Sequence, residues 1–376
     1  MSNSYQICRR CVMDTSVGGI TFDVDGVCHF CRLYNERVKQ ELFNDDSGRR
    51  HLEQFIQRIR HRGEGRPYDC LIGVSGGVDS MYVAYLVKRT YDLRPLAVHL
   101  DNGWNTDVSV KNIKKVLKAL QIDLVTEVLD WEEFKDLQLS FLRASIANAE
   151  IPTDHAIVAT LFRTASRNGL TDIITGSNIV TEAIMPEAWM YDATDWRLIK
   201  AVQRRFGARP LTRFPSIRLV DFAYYIFIRG IRFFPILNYL PYVKADAQRF
   251  LQQEFGWQDY GEKHCESIYT RFFQGYLLPR KFGIDKRRAH YSTLILSNQM
   301  TREEALQRLL APPLAPELAE SDKDYVTKKL CLSQEDFGRI LGERVRSVSD
   351  YPNNLSWRRT FAFLVKLGRR RAIRHD

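Results

Sequence analysis

Two short patterns in this chain have residue types and spacing suited to chemistry. The first is Leu71-Ile-Gly-Val-Ser-Gly-Gly-Val-Asp-Ser80. A mostly apolar run enters a glycine pair and then a polar pair able to open a helix, the order of strand, loop and helix start. Gly76 and Gly77 can take positive φ and admit a ligand close to the backbone. Ser75, Ser80 and the first N–H groups of the next helix, from Val78 on, offer donors to an anion. Asp79 would repel a bare phosphate, so its place in the loop implies a magnesium ion bridging carboxylate and phosphate oxygens. The expected ligand is a nucleotide with Mg2+. No Gly-Lys-Ser/Thr follows, so the loop is not of the Walker type.

The second pattern is a pair of C-x-x-C motifs, Cys8/Cys11 and Cys28/Cys31, with the remaining cysteines, Cys70, Cys265 and Cys331, scattered. Four soft ligands in two such pairs predict a tetrahedral zinc knuckle. With all four ligands from protein and no position open, the zinc is expected to be structural.

Elements must position these residues. Asn44 to Arg66 is charged, with Leu52, Phe55, Ile56 and Ile59 on one helical stripe, and predicts a linker helix. From there strands at 70–74, 95–100, 124–129 and 172–176 alternate with helices at 79–90, 107–120, 131–147 and 155–168. That alternation predicts an α/β fold with a doubly wound parallel sheet, whose ligands sit beyond the carboxyl ends of the strands. The loops after strands therefore become candidates: Asp101-Asn102-Gly103 and Thr175-Gly176-Ser177-Asn178, each also readable as a plain turn. The last hundred or so residues read as helical, with capping-box starts at Thr301 and Ser333. The expected divisions are a zinc knuckle at 1–43, the linker helix at 44–66, the ATP-binding domain at 67–188, an aromatic and basic insertion at 189–245, and a helical region at 246–376. The basic stretch 357–376 reads as a surface helix packing Phe361, Leu364 and Leu367, with an anchor on an anionic surface as the alternative.

A net charge of +10 and a pI near 9.2 point to an anionic partner. The amino terminus is polar, without a signal-type apolar core, and predicts a cytoplasmic protein. The most apolar stretch, 219–243, carries Asp221, Arg229, Arg232 and two prolines, which interrupt the ~20 clean apolar residues a membrane span needs. No stable membrane insertion is expected.

The Ser-Gly-Gly-x-Asp-Ser loop resembles the pyrophosphate (PP) loop of the ATP pyrophosphatase family, with its adenine nucleotide alpha-hydrolase-like fold. In that family ATP is cut between the α- and β-phosphates and AMP passes to a carbonyl oxygen that a nucleophile then displaces. The second strand of such domains runs beside the adenosine. That places His99 near the adenine, Asp101 near the ribose or metal, and Gly176 near phosphate or substrate. The cysteine knuckle, the loop, "PTDHAI" at 152–157 and the block from Glu262 to Leu306 together resemble the N-acetyl sugar amidotransferases of bacterial surface-polysaccharide and O-antigen (lipopolysaccharide) synthesis, the WbpG type. That resemblance spans nearly the whole chain. It implies conversion of an acetamido group on a nucleotide-linked sugar to an acetamidino group, with ammonia from a separate glutaminase and synthase pair (HisH/HisF-like). Lys263 is the candidate for the developing phosphate charge, and Glu266 or His155 for taking a proton from the attacking ammonia. Cys70 falls in a core strand, and neither Cys265 nor Cys331 has a glutaminase-sized region to itself, so ammonia must be delivered. The alternative is a transfer-RNA modifying enzyme of base thiolation or amidation. With no cysteine between Cys70 and Cys265, a sulfur pathway would have only isolated thiols, and nucleic acid is not the expected partner.

Overall fold

The computed structural model describes residues 5–261 and 265–355. Lys263 and the basic stretch 357–376 lie outside the described residues. The centre is a five-stranded sheet, all parallel: β1 (Cys70–Gly73), β2 (Pro95–Asp101), β3 (Asp123–Val128), β4 (Asp172–Thr175) and β5 (Arg232–Pro235), in the order β3-β2-β1-β4-β5. The chain winds outward from β1 to β3, then crosses back to lay β4 on the other side of β1. The loops after β1 and β4 therefore open side by side at a topological switch point, where such sheets bind ligands.

Preceding the sheet are α1 (His29–Glu41) and α2 (Asp46–Gly63). The Asp45 side chain caps α2 through the Gly48 N–H, and Leu52, Phe55, Ile56 and Ile59 are buried as their helical spacing predicts. Helix α3 (Val78–Tyr85) is shorter than the sequence suggests, because a wider helical turn takes over at Leu86–Thr90. Thr106 caps α4 (Asp107–Leu120), and Asp130 caps α5 (Trp131–Ala144). The left-handed conformation of Ser145 ends α5 three residues before the expected Ala147. Helix α6 (Ile151–Arg167) starts a turn before His155, because Pro152 fits the first turn, where its missing N–H is not needed. Short α7 (Ile179–Glu182) follows β4.

The segment expected to be an insertion supplies β5, which pairs with β4 from Asp172↔Arg232 to Thr175↔Pro235. It is thus part of the sheet, and a division at residue 188 would cut through it. Only four residues long and with exposed Phe233, this edge strand lacks the length and alternation that mark a strand in sequence. The same segment holds α8 (Trp196–Phe206) and α9 (Leu219–Ala223). The remainder is α10 (Lys244–Phe255), α11 (Ile268–Phe272), α12 (Arg287–Leu296), α13 (Arg302–Leu310), α14 (Pro316–Lys329) and α15 (Gln334–Gly342), with Thr301 and Ser333 capping α13 and α15 as expected. No helix among the described residues is long and apolar enough to cross a membrane.

Candidate active site

Between β1 and α3 the chain turns through Val74-Ser75-Gly76-Gly77. Gly76 has φ +86°, and a Cβ there would lie 2.6 Å from the Ser109 carbonyl oxygen, so only glycine lets the loop pack on the start of α4. The Trp257 indole donates to the Gly76 carbonyl at 2.9 Å, a second constraint on the same residue. The two serines brace the turn: Ser80 Oγ accepts the Ser75 N–H at 3.3 Å and donates to the Gly77 carbonyl at 3.0 Å, while Ser75 Oγ accepts the Gly77 N–H at 3.3 Å. Ser75, Gly77, Val78, Asp79 and Ser80 line a crevice of about 910 Å³. Gly76 does not line it, and its contribution is to the shape of the loop.

Asp79, in the first turn of α3, accepts a hydrogen bond from the Tyr242 phenol. Burial, and then the Asp79 charge, push the Tyr242 pKa up, so the phenol stays a donor. A Cβ on Gly176 would fall 2.9 Å from the Asp79 carbonyl carbon, so this glycine allows the loop after β4 to meet the loop after β1. Glu182 lines the same end of the crevice. Carboxylate and hydroxyl oxygens are the hard donors that magnesium takes, so Asp79 and its surroundings fit Mg2+ beside a phosphate.

The opposite wall comes from the carboxyl-terminal region. The Thr106 N–H donates to the Glu266 carbonyl at 2.9 Å and Asn105 bridges to Ser267, which seats this segment against the start of α4. A Cβ on Gly77 would lie 4.0 Å from Glu266 Oε1, so the Glu266 carboxylate faces the glycine loop. Farther along the crevice, Glu150 accepts from Gln274 at 2.8 Å and pairs with Lys286 at 3.4 Å. Asp154, one turn along α6, opens into the crevice where solvent reaches it but protein surrounds it. Withdrawal from bulk water, then the neighbouring Glu150 charge, raise its pKa to about 7, against the opposing pull of Lys286.

His99 lines the crevice, with Nδ1 at 2.9 Å from the Val74 carbonyl and Nε2 at 3.1 Å from the Asn105 amide. That pairing makes Nδ1–H the donor and Nε2 the acceptor, and ties β2 to β1 at the loop. Asp101 turns away onto its own loop, accepting from the Gly103 N–H and the Asn105 amide, which makes it a turn residue and not a crevice one. His155 also departs from expectation. It is fully buried, its Nδ1 donates to the Ala193 carbonyl at 2.6 Å and its Nε2 accepts the Ile217 N–H at 3.0 Å. Burial lowers its pKa to about 4, and with both nitrogens occupied it is a core residue in place of a base. The members of "PTDHAI" that line the crevice are Thr153, Asp154 and Ile157, of which Asp154 is the one that can take a proton. The i, i+4 spacing of Glu150 and Asp154 was the signal available, weakened because the helix start at Ile151 was not legible.

Apart from the crevice, the Sγ atoms of Cys8, Cys11, Cys28 and Cys31 lie within 4.8 Å of one another, all buried. The separations of Cys8–Cys31, Cys11–Cys28 and Cys28–Cys31 are 3.8, 3.6 and 3.7 Å. The Cys28 and Cys11 N–H groups point at Cys8 Sγ at 3.2 and 3.4 Å, an arrangement that favours thiolate. The cluster fits a bound metal. It is held to the carboxyl-terminal helices by Arg302, which donates to the Cys8 and Cys11 carbonyls, and by Arg288, paired with buried Asp14 at 2.9 Å. Two arginines of the basic block thus serve the knuckle and not the crevice.

Residues 266–364 match the family described as LPS biosynthesis protein WbpG-like, C-terminal domain. An uncharacterized protein of Methanocaldococcus jannaschii is 28% identical over 140 residues, 36% of this chain and 47% of that protein. A glutamine-hydrolyzing GMP synthase of Pyrobaculum aerophilum is 34% identical over 74 residues, 20% of this chain and 14% of the synthase. The chain thus spans less than half the length of either relative. Among solved structures, the NH3-dependent NAD synthetase of Campylobacter jejuni aligns at TM-score 0.30 and 14% identity, over 75% of this chain and 94% of that one. The U34-tRNA thiolase NcsA of Methanococcus maripaludis, with its [4Fe-4S] cluster, aligns at TM-score 0.30 and 13% identity, over 78% of this chain and 86% of that one.

Proposed function

We propose, for a chain whose residues 266–364 are a WbpG-like C-terminal domain, that it is an ATP-using PP-loop enzyme and that its reaction is amidotransfer to a sugar. In this reading ATP lies across the Ser75–Ser80 loop and the acetamido group of a nucleotide-linked sugar lies toward Glu150 and Asp154. The observation that carries the proposal is that one crevice joins the phosphate loop to a wall contributed by the WbpG-like domain, through Glu266, Thr270, Gln274 and Lys286.

The amide oxygen attacks the α-phosphorus and pyrophosphate leaves. Ammonia adds to the resulting imidate carbon, a proton is lost, and AMP departs carrying the former amide oxygen. Sugar–NH–CO–CH3, ATP and NH3 thereby become sugar–NH–C(=NH)–CH3, AMP and pyrophosphate. Mg2+ when bound supplies charge neutralisation at the phosphates. The serine hydroxyls and the first turn of α3 hold the phosphates. His99 fixes the strand ends beside the adenosine, and Tyr242 orients the Asp79 carboxylate. Asp154 takes the place His155 was expected to fill, as acceptor of the proton from the ammonium adduct, with Lys286 and Gln274 holding Glu150 beside it. Lys263 remains the proposed partner of the leaving pyrophosphate. A separate glutaminase is the proposed ammonia source.

The cysteine cluster is proposed to hold one zinc ion. Metal–sulfur bonds of about 2.3 Å in a tetrahedron give sulfur–sulfur edges of about 3.8 Å, close to those observed. A larger iron–sulfur cluster would hold the thiolates farther apart.

The test is a label transfer. Purified chain is incubated with ATP, magnesium, ammonium and nucleotide-linked acetamido sugars whose amide oxygen is 18O. Recovery of the label in AMP, with NH in place of O in the sugar, supports the reading. AMP formed only on adding transfer RNA would assign the function to RNA modification.

A further inference from the structure

A second groove, also of about 910 Å³, shares no lining residue with the candidate active site. One wall is α8, which buries Leu198, Ile199 and Val202 and turns Arg197, Lys200, Arg204 and Arg205 outward. The other wall brings Arg218, Leu219 and Val220, with Tyr351 and Asn354 at one side. No carboxylate lines the groove among the described residues. Arg218 is neutralised locally by Asp221 at 2.8 Å, which leaves the charge of α8 to dominate. Arg205 lies over the Phe206 and Tyr351 rings at 5.3 and 5.5 Å, which fixes its guanidinium at the rim.

The apolar side of this groove continues along one helical segment, 219–228. Leu219 is 60% exposed, Val220 65%, Phe227 69% and Ile228 74%, with Tyr224 between them and exposed Arg229 after them. Contiguous apolar exposure of this kind marks a surface that meets something. Cations that gather phosphates and aliphatic side chains that want an oily boundary stand next to each other, the pairing presented by the headgroup layer of an anionic bilayer. A nucleic acid would match the arginines and leave Leu219, Val220 and Ile228 in water. The sequence beyond Leu355 carries seven further lysines and arginines with a single acid, Asp376. Its charge has the sign of the groove, so it is not the groove's counter-ion.

We propose that this surface docks the protein on an anionic phospholipid bilayer, with α8 on the phosphates and Leu219, Val220, Phe227 and Ile228 at the acyl boundary, without any span of the membrane. Co-sedimentation of the full chain at low salt with vesicles of phosphatidylcholine, and of equimolar phosphatidylcholine and phosphatidylglycerol, tests it. The expected result is binding to the anionic vesicles alone, weakened about tenfold or more by Arg204→Ala with Arg205→Ala. Phe227→Ser with Ile228→Ser should turn the remaining binding into one that modest salt removes. All four positions are exposed, and unchanged thermal unfolding of each variant would show that the fold is intact. Equal binding to both vesicle types, or full binding by the double arginine variant, would overturn the proposal. So would capture of labelled transfer RNA with no vesicle bound, or release from vesicles by inorganic phosphate but not by chloride at equal ionic strength.

Discussion

The cysteine knuckle and the candidate active-site crevice are both announced by short motifs, yet they are built in opposite ways. All four sulfurs of the knuckle come from the stretch between Cys8 and Cys31, and their cluster is closed by N–H groups of the same stretch. The crevice takes its glycine loop from residues 75–80, His99 from β2, Glu150 and Asp154 from the start of α6, Glu266 from before α11 and Lys286 from the start of α12. A local site is complete once its motif folds around an ion. A distributed site exists only when the sheet and the carboxyl-terminal helices have packed. Substitutions in the knuckle should therefore be read in metal content and stability, and substitutions in the crevice in turnover.

The largest effect is expected in the knuckle. If the cluster holds zinc as proposed, Cys28→Ser removes one of its four ligands, and since apparent binding energies for structural zinc run to ~10–16 kcal/mol, loss of a thiolate should drop metal content from about one per chain to near zero. Elemental analysis and thermal unfolding measure this together. A Cys28→Ser chain that keeps its metal and its unfolding midpoint would mean that the cluster is no metal site.

In the crevice the largest single effect should come from Asp79→Asn. The amide still accepts from Tyr242, so thermal unfolding should hold, while AMP formation falls by ~10²–10³-fold as the carboxylate proposed to hold Mg2+ at the phosphates is lost. A loss of stability as large as the loss of rate would erase the contrast between the two regions.

How much of each region could be read in sequence follows from the same difference. The knuckle, the glycine loop, the first four strands and the caps at Thr301 and Ser333 are signalled by residues close in sequence. Strand β5 was hidden in an apolar run that splits between core and surface, with Phe234 buried and Phe233 exposed. His155 belongs to the stretch 152–157 that carries the family resemblance, which makes it a candidate base, and only packing against Trp196 and Phe214 shows it to be core. Asp101 follows a strand as a ligand-facing residue would, but closes its own turn. Asp154, Gln274 and Lys286 meet through tertiary packing that no local pattern records.

Asp154→Asn probes this unrecorded part. The folded pKa of about 7 lies above the ordinary 3.8, so the folded chain keeps a proton that the unfolded chain loses. The sign follows by linkage: stability falls as pH rises from about 4 to about 7 and levels above it. The asparagine variant should lose that slope and melt higher at pH 8. At constant free ammonia, turnover of the parent should rise to a plateau above pH 7, and the variant should be slower by ~10²-fold with no such rise. A turnover profile identical in parent and variant would take Asp154 out of the proton path.

The smallest effect tests whether the knuckle is as self-contained as its spacing implies. Arg302 donates to the Cys8 and Cys11 carbonyls at 2.9 and 3.1 Å, a contact between the knuckle and α13 and not within the cluster. Arg302→Ala deletes charge-assisted hydrogen bonds at a half-buried position, a loss of ~1–3 kcal/mol and a fall of a few degrees in unfolding midpoint. Metal content should not change, because every ligand and every N–H that steadies Cys8 Sγ belongs to residues 8–31. If metal is lost along with the arginine, the sulfurs are held in place by the carboxyl-terminal helices, and the knuckle is a distributed site like the crevice it was contrasted with.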